Sequence, residues 1–184
     1  MTERVDVLIS GGGLAGLAAA AAFGAAGHSV LCVDPAPPVI DESDPAADLR
    51  TTALLQPSAA VLEAAGVWDR LLPQAQPLQT MRIVDAEGRV RRNFDAAEVS
   101  DRPFGWNFPN WLLRRELMAR LTEQPQVRFR PGVGTVALVA RETEARVRLS
   151  DGAPVAARLL VAADGRDSPM RAALGIGART IRYG

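Results

Sequence analysis

Lysine is missing from this 184-residue chain: all 21 of its basic residues are arginine. That excludes a Walker-type phosphate loop and any Schiff-base mechanism, since both need a lysine amine. Cysteine is nearly missing. Cys32 alone permits no internal disulfide, no cysteine-pair redox centre and no Cys-built zinc site, and it rules out thiol–disulfide flavoprotein chemistry. His28 is the only histidine, which removes most metal-binding and histidine-based acid–base constellations. The 21 acidic residues balance the 21 basic ones, with no long run of either sign. This argues against a nucleic-acid groove or a polybasic membrane patch. The longest apolar stretch, Leu14 to Ala26, is Ala-rich and interrupted by Gly16 and Gly24. It falls short of the roughly 20 apolar residues a bilayer crossing needs. It also lacks the basic start and small-residue cleavage site of a signal peptide, so a cytoplasmic protein is the default expectation. What remains is chemistry carried by something the protein binds.

The residues present, 48% hydrophobic and 23% charged, fit one compact globular domain of ordinary size. Val5 to Ile9 reads as a buried strand, Leu14 to Ala26 as a helix closed by Gly27, and Ser29 to Val33 as a second buried strand ending at Asp34. Strand, glycine turn, helix and strand form a βαβ unit, whose parallel strands require a crossover helix. Four prolines and a group of acidic residues make Pro35 to Asp48 a loop. Arg50 to Ala65 reads as a helix, with Pro57 marking a break or late start. Met81 to Asp85 and Val90 to Phe94 form a hairpin around Glu87-Gly88. Asp101 to Asn110 reads as a loop, and Trp111 to Gln124 as a helix with one apolar side. Val127 to Arg130, Val133 to Arg141 and Ala145 to Leu149 read as strands, followed by an Asp151-Gly152 turn. A last buried strand, Leu159 to Ala163, runs into Asp164-Gly165, and Ser168 caps a short helix to Leu174.

Two segments carry the chemistry. Gly11-Gly12-Gly13-Leu14-Ala15-Gly16 is a G-x-G-x-x-G pattern between a predicted strand and helix, with Asp34 closing the next strand. Gly11 permits the tight turn, Gly13 leaves no Cβ where a pyrophosphate must approach, and Gly16 lets the helix lie close to the strand. The pyrophosphate meets unpaired amides and the positive end of the helix dipole, and Asp34 accepts hydrogen bonds from a ribose diol. In the second segment a buried strand delivers Asp164 at its carboxyl end, where open α/β sheets place their ligands. Taken alone, Asp164-Gly165 with Ser168 equally describes a turn and a helix cap. His28 reads as a solvated turn residue, Cys32 as a small buried apolar side chain, the tryptophans as core or loop anchors, and Arg91-Arg92 as an exposed strand face.

Together these segments resemble the class A flavoprotein aromatic hydroxylases, most strongly the ubiquinone-biosynthesis hydroxylases. Gly11-x-Gly13-x-x-Gly16 matches that family's FAD pyrophosphate loop, and Asp34 takes the place of its ribose-binding acid. Asp48-Leu49-Arg50-Thr51-Thr52-Ala53-Leu54, leading to Leu62-Glu63-Ala64-Ala65-Gly66-Val67-Trp68, is similar to its Arg-x-x-Ala-Leu segment and the helix that follows. Arg50 would neutralise the flavin pyrophosphate. Phe104 to Leu117 resembles its loop and helix, with Arg114 at the flavin-contacting position. Ala163 to Arg171 matches its Asp-Gly motif, whose acid, here Asp164, would lie near the pyrophosphate and Arg50. The family's third flavin motif begins Gly-Asp, a dipeptide found nowhere in this sequence.

The resemblance implies an α/β chain. A Rossmann-like FAD-binding fold over residues 1–76 and 105–184 would be interrupted by an incomplete β-rich substrate-domain segment over 77–104, and the chain would be an N-terminal half. It implies FAD as cofactor, with NADH or NADPH as transient reductant. The substrate would be an aromatic, polyprenylated phenol that brings the protein to the periphery of the inner membrane without a spanning segment, and homo-oligomerisation is expected. Gly11, Gly13, Leu14, Ala15, Gly16, Asp34, Arg50, Arg114 and Asp164 are the candidate cofactor-binding residues. No catalytic acid or base is named, since the flavin carries the chemistry. Two alternatives stay open: an NAD-linked dehydrogenase, which leaves Arg50, Arg114 and Asp164 unexplained, and a truncated, non-catalytic fragment that binds FAD, ADP or nothing. On the fragment reading the chain by itself is inactive.

Overall fold

A computed structural model describes residues 1–182; the end of the expected approach to the substrate domain, Tyr183 and Gly184, lies outside them. The chain divides into two compact units, Met1–Pro38 with Leu117–Gly184, and Val39–Glu116.

The first unit opens with β1 (Glu3–Ser10), α1 (Leu14–Ala25) and β2 (Val30–Asp34). β1 and β2 are parallel, as the βαβ pattern requires. In the second unit follow β3 (Thr51–Leu55), α2 (Gln56–Ala64), α3 (Trp68–Leu71), a 3₁₀ turn (Leu72–Gln74), β4 (Gln76–Pro77), β5 (Thr80–Val84), β6 (Val90–Asp95), a second 3₁₀ turn (Ala96–Glu98) and β7 (Gly105–Pro109). Then comes α4 (Asn110–Thr122), within which the first unit resumes at Leu117, continuing with β8 (Val127–Pro131), β9 (Thr135–Ala140), β10 (Ala145–Leu149), β11 (Pro154–Ala162) and α5 (Pro169–Ala173).

The first unit is built on a six-stranded sheet in the order β8-β2-β1-β11-β10-β9. β8, β2, β1 and β11 run parallel, while β10 and β9 return antiparallel. Its α/β character is the expected one. The run of buried residues along β1 and β2 is what a parallel strand covered on both faces needs. Val5, Leu8, Leu31, Val33, Val147, Leu149 and Val155 form one apolar cluster. Cys32 is fully buried, and burial pushes its thiol pKa up to about 12, so it is an inert core residue.

In the second unit β3 and β4 pair on either side of β7, and β5 with β6 makes the expected hairpin. Trp68 packs edge-on against Trp106 and Phe108, at centroid distances of 5.0 and 5.9 Å. Arg91 pairs with Asp85 at 2.6 Å, and Arg92 lies over the Phe94 ring. Two local expectations change here. The stretch expected as one helix from Arg50 begins instead as β3, and α2 starts only at Gln56 with Pro57 in its first turn. The expected loop from Asp101 to Asn110 contains β7, the partner of β3. Among the described residues no helix is long and apolar enough to cross a membrane.

Candidate functional site

The sheet order reverses between β1 and β11: from β1 the chain moves to β2 on one side, while β11 lies on the other. Ligands of open α/β sheets sit at such a switch point, beyond the carboxyl ends of the strands. A cleft of about 340 Å³ opens there, lined by Ser10, Gly11, Gly13, Asp34, Thr135 and Asp164 among others.

The glycine loop shapes the cleft. Gly11 has φ of +111°, and a Cβ there would run into the Ala163 carbonyl oxygen. At Gly16 a Cβ would strike the Gly11 carbonyl oxygen, so the first turn of α1 rests directly on the loop. At Gly13, the N-cap of α1, a Cβ would meet nothing within 4 Å. The space beside it is open, and the amides of Leu14, Ala15 and Gly16 in the first turn have no acceptor within the helix. Such a terminus attracts anions.

Two carboxylates border the same space. Asp34 accepts the Gly12 amide at 2.6 Å through one oxygen and the Ala36 amide at 2.8 Å through the other. Asp164 accepts the Met170 amide at 3.0 Å through Oδ2. Its Oδ1 is buried and has no hydrogen-bond partner among the described residues. A buried acceptor left unmatched is costly and calls for a donor from a ligand or solvent. The turn-and-cap reading of this segment is also present: Gly165 has φ of +88°, and Ser168 Oγ accepts the Arg171 amide at 3.0 Å.

The second unit holds the other two candidates. Arg50 donates through Nε and one terminal nitrogen to the two oxygens of Asp48, at 2.8 and 2.9 Å. An Arg114 terminal nitrogen lies 3.6 Å from the same carboxylate. Asn110 Nδ2 donates to Asp48 at 2.9 Å, and Thr52 donates its hydroxyl to Asn110 Oδ1. The Arg50 guanidinium, with help from Asn110, holds the Asp48 carboxyl far below the usual carboxylate range. Asp48 in turn raises the Arg50 pKa. The nine candidates therefore form two groups: Gly11, Gly13, Leu14, Ala15, Gly16, Asp34 and Asp164 in one unit, Arg50 and Arg114 in the other. Sequence reasoning missed Thr135, whose hydroxyl meets that of Ser10, and the pair Asp48 and Asn110. The Asp-x-Arg spacing was the only local sign of the latter: the Arg50 amide donates back to Asp48 at 3.2 Å, an Asx turn.

Residues 4–182 match the FAD binding domain family. The chain belongs to this family. Its relatives include the ubiquinone hydroxylase UbiL of Rhodospirillum rubrum, 37% identical and aligned over 97% of this chain and 41% of the relative. The 3-demethoxyubiquinol 3-hydroxylase of Escherichia coli is 28% identical over 98% of this chain and 46% of its own length. Among solved structures, the flavin-dependent monooxygenase PieE in complex with FAD and substrate superposes with a TM-score of 0.74 at 27% identity, covering 94% of this chain and 32% of that one. Pseudomonas aeruginosa PqsL in complex with 2-aminobenzoylacetate gives 0.77 at 27%, covering 98% and 48%. The fold is thus Rossmann-like and FAD-binding, and the chain spans less than half the length of these relatives.

The cleft fits that cofactor. A helix terminus suited to an anion shares the cleft with Asp34 and with Asp164, whose buried Oδ1 has no donor among the described residues. FAD offers a pyrophosphate flanked by a ribose and a ribityl chain.

Proposed function

We propose that this chain is the FAD-holding part of a flavin-dependent hydroxylase acting on an aromatic ring, with a ubiquinone-precursor phenol as substrate. The observation that carries the reading is the cleft at the switch point, where, among the described residues, Gly13 faces open space and Asp164 Oδ1 lacks a donor. Kinship with UbiL and the Escherichia coli hydroxylase supports the substrate class. Bound FAD, reduced by NADH or NADPH and supplied with O₂, would deliver the oxygen atom to the ring.

The task of the chain's own residues is binding and orientation. The amides of Gly13, Leu14, Ala15 and Gly16 would take the pyrophosphate. Asp34 would accept from the ribose hydroxyls, and Asp164 would lie near the pyrophosphate, its Oδ1 taking a donor from the cofactor or solvent. Arg50 would offset phosphate charge, and Arg114 would touch the flavin. We assign 1–76 and 105–184 to cofactor binding and 77–104 to the substrate side. The β5–β6 hairpin supports this division, because Met81, Ile83, Val84 and Val90 are exposed on it, and a lone two-stranded hairpin is marginal in water. A polyprenylated phenol would draw the protein to a membrane surface, and uncovered apolar strand faces favour self-association.

The test is the visible spectrum of the purified chain together with calorimetric titration by FAD and ADP. Flavin bands and saturable FAD binding are expected. A chain that binds neither FAD nor ADP refutes the reading.

A further inference from the structure

Asp48 gathers a network that the cofactor reading leaves without a purpose. One oxygen receives Arg50 Nε and the Arg50 amide; the other receives an Arg50 terminal nitrogen and Asn110 Nδ2. Arg114 approaches that second oxygen from α4. Asn110 is itself fixed: it is buried, takes the Thr52 hydroxyl, and donates its backbone amide to the Arg50 carbonyl at 2.9 Å. The carboxylate is therefore anchored from the β3–β7 pair as well as by the arginines.

The way Arg50 is bound matters. A guanidinium presents five N–H groups in a planar fork. Asp48 engages the edge made by Nε and one terminal nitrogen, which leaves the edge between the two terminal nitrogens free. The Arg50 side chain is 84% exposed, and its free edge has no partner among the described residues. An unrestrained arginine in that position would sample many rotamers. This one is pinned on one edge and open on the edge that suits a bidentate phosphate.

We propose that Asp48 is a positioning residue, holding the Arg50 guanidinium so that its free edge is presented to a cofactor phosphate. The proposal rests on reading Arg50 as cofactor-binding. Its physical rival is competition, in which Asp48 occupies the arginines in place of phosphate and only cancels charge. The two differ in sign. With Asp48 ionised the trio carries a net charge of +1, and without that charge +2. A competitor's removal tightens anion binding, whereas a positioner's removal weakens it.

The experiment titrates FAD and ADP into the full chain, as wild type, Asp48→Asn, Arg50→Ala and the double variant. In parallel, ¹⁵N relaxation at Arg50 Nε is followed without ligand. Asp48→Asn is expected to weaken binding about ten-fold, and to weaken it much less in the Arg50→Ala background, because residues acting through one network are non-additive. Arg50 Nε is expected to be ordered in the ligand-free wild type and mobile in Asp48→Asn. The wild-type relaxation measurement holds whatever the variant's stability, and a freely mobile Arg50 Nε there overturns the proposal. So does unchanged or tighter binding by Asp48→Asn, and so does an equal penalty in both backgrounds, which marks a merely structural role. A wild type that binds neither FAD nor ADP removes the cofactor reading and the positioning role together; a wild type that binds normally beside an unweakened Asp48→Asn removes the positioning role alone.

Discussion

The hydroxyls of Ser10 and Thr135 share a hydrogen bond of 2.7 Å across 125 residues of chain. Ser10 closes β1 and Thr135 opens β9, so the bond joins the parallel half of the sheet to its antiparallel arm in the wall of the cleft. Both side chains are buried, at 3% and 9% exposure, so neither hydroxyl has ready access to water in compensation.

Thr135→Val keeps the shape and removes the partner. Leaving a buried hydroxyl unmatched costs about 1–3 kcal/mol. The urea midpoint is expected to fall by that free energy divided by the m-value, with the m-value itself unchanged, and Thr135→Ser is expected to restore most of it. A midpoint equal to wild type in Thr135→Val would mean the Ser10 hydroxyl finds another partner.

The two outer glycines of the helix start separate folding from binding. Gly16→Ala places a methyl against the Gly11 carbonyl oxygen, a backbone atom that cannot swing away. Overpacking of this kind costs about 1–3 kcal/mol, so a lower melting temperature is expected. Gly13→Ala points its methyl into open space from an extended backbone that alanine adopts readily. Its cost to stability is expected to stay below about 1 kcal/mol, while FAD affinity drops because the methyl fills the approach to the helix terminus. Thermal melts and calorimetry on both variants check the contrast, and a Gly13→Ala chain that binds FAD as wild type does would place the pyrophosphate elsewhere.

The parts of the fold that were legible in the sequence are those whose causes are local. β1, the glycine turn, α1 and β2 follow one another within the first 34 residues, and their apolar runs and glycines announce them. β3 and β7 do not announce themselves. Each owes its strand conformation to the other, and Thr52 meets Asn110 across 58 residues of sequence, a partner no local window contains. β7 also reads as loop because Gly105 opens it and Pro109 ends it. Gly105 is there because a Cβ would strike the Leu54 carbonyl oxygen, the close backbone approach that an intrastrand glycine marks. The site divides the same way. Gly11 to Gly16 and Asp34 belong to one continuous pattern, whereas Thr135, Asp48 and Asn110 acquire meaning only through side chains brought in from distant strands.

Midway along β1, Asp6 accepts the Ser29 amide at 3.0 Å, the Ser29 hydroxyl at 2.7 Å and Arg158 at 3.1 Å. The Ser29 amide and hydroxyl, then Arg158, hold its pKa down at about 2, against about 3.9 for an unfolded aspartate. A folded pKa below the unfolded one means stability that is fully present above the unfolded value and lost as pH falls through the folded value. The gap in urea midpoint between wild type and Asp6→Asn is therefore expected to be constant above about pH 5, to narrow below about pH 4 and to close toward pH 2. A gap that persists unchanged to pH 2 would mean that Asp6 does not titrate against these partners.

Asp34 is ordered before any ligand arrives, since its two oxygens already hold the Gly12 and Ala36 amides. Each carboxylate oxygen keeps a second lone pair, and the side chain borders the cleft. A ribose diol donating there would form charge-assisted bonds without a further ordering cost. Asp34→Ala is expected to weaken FAD and ADP binding by about 1.5–3 kcal/mol. Part of that loss comes from freeing the Gly12 amide, so affinity alone does not isolate the diol contact. A second ligand does. An ADP bearing a 2′-phosphate sets like charge against Asp34 and is expected to bind wild type more weakly than ADP does; that discrimination should shrink in Asp34→Ala, where the carboxylate is gone. Calorimetry with both nucleotides on both chains decides it: equal discrimination in wild type and variant would remove Asp34 from the ribose site, even if the variant bound both ligands less tightly.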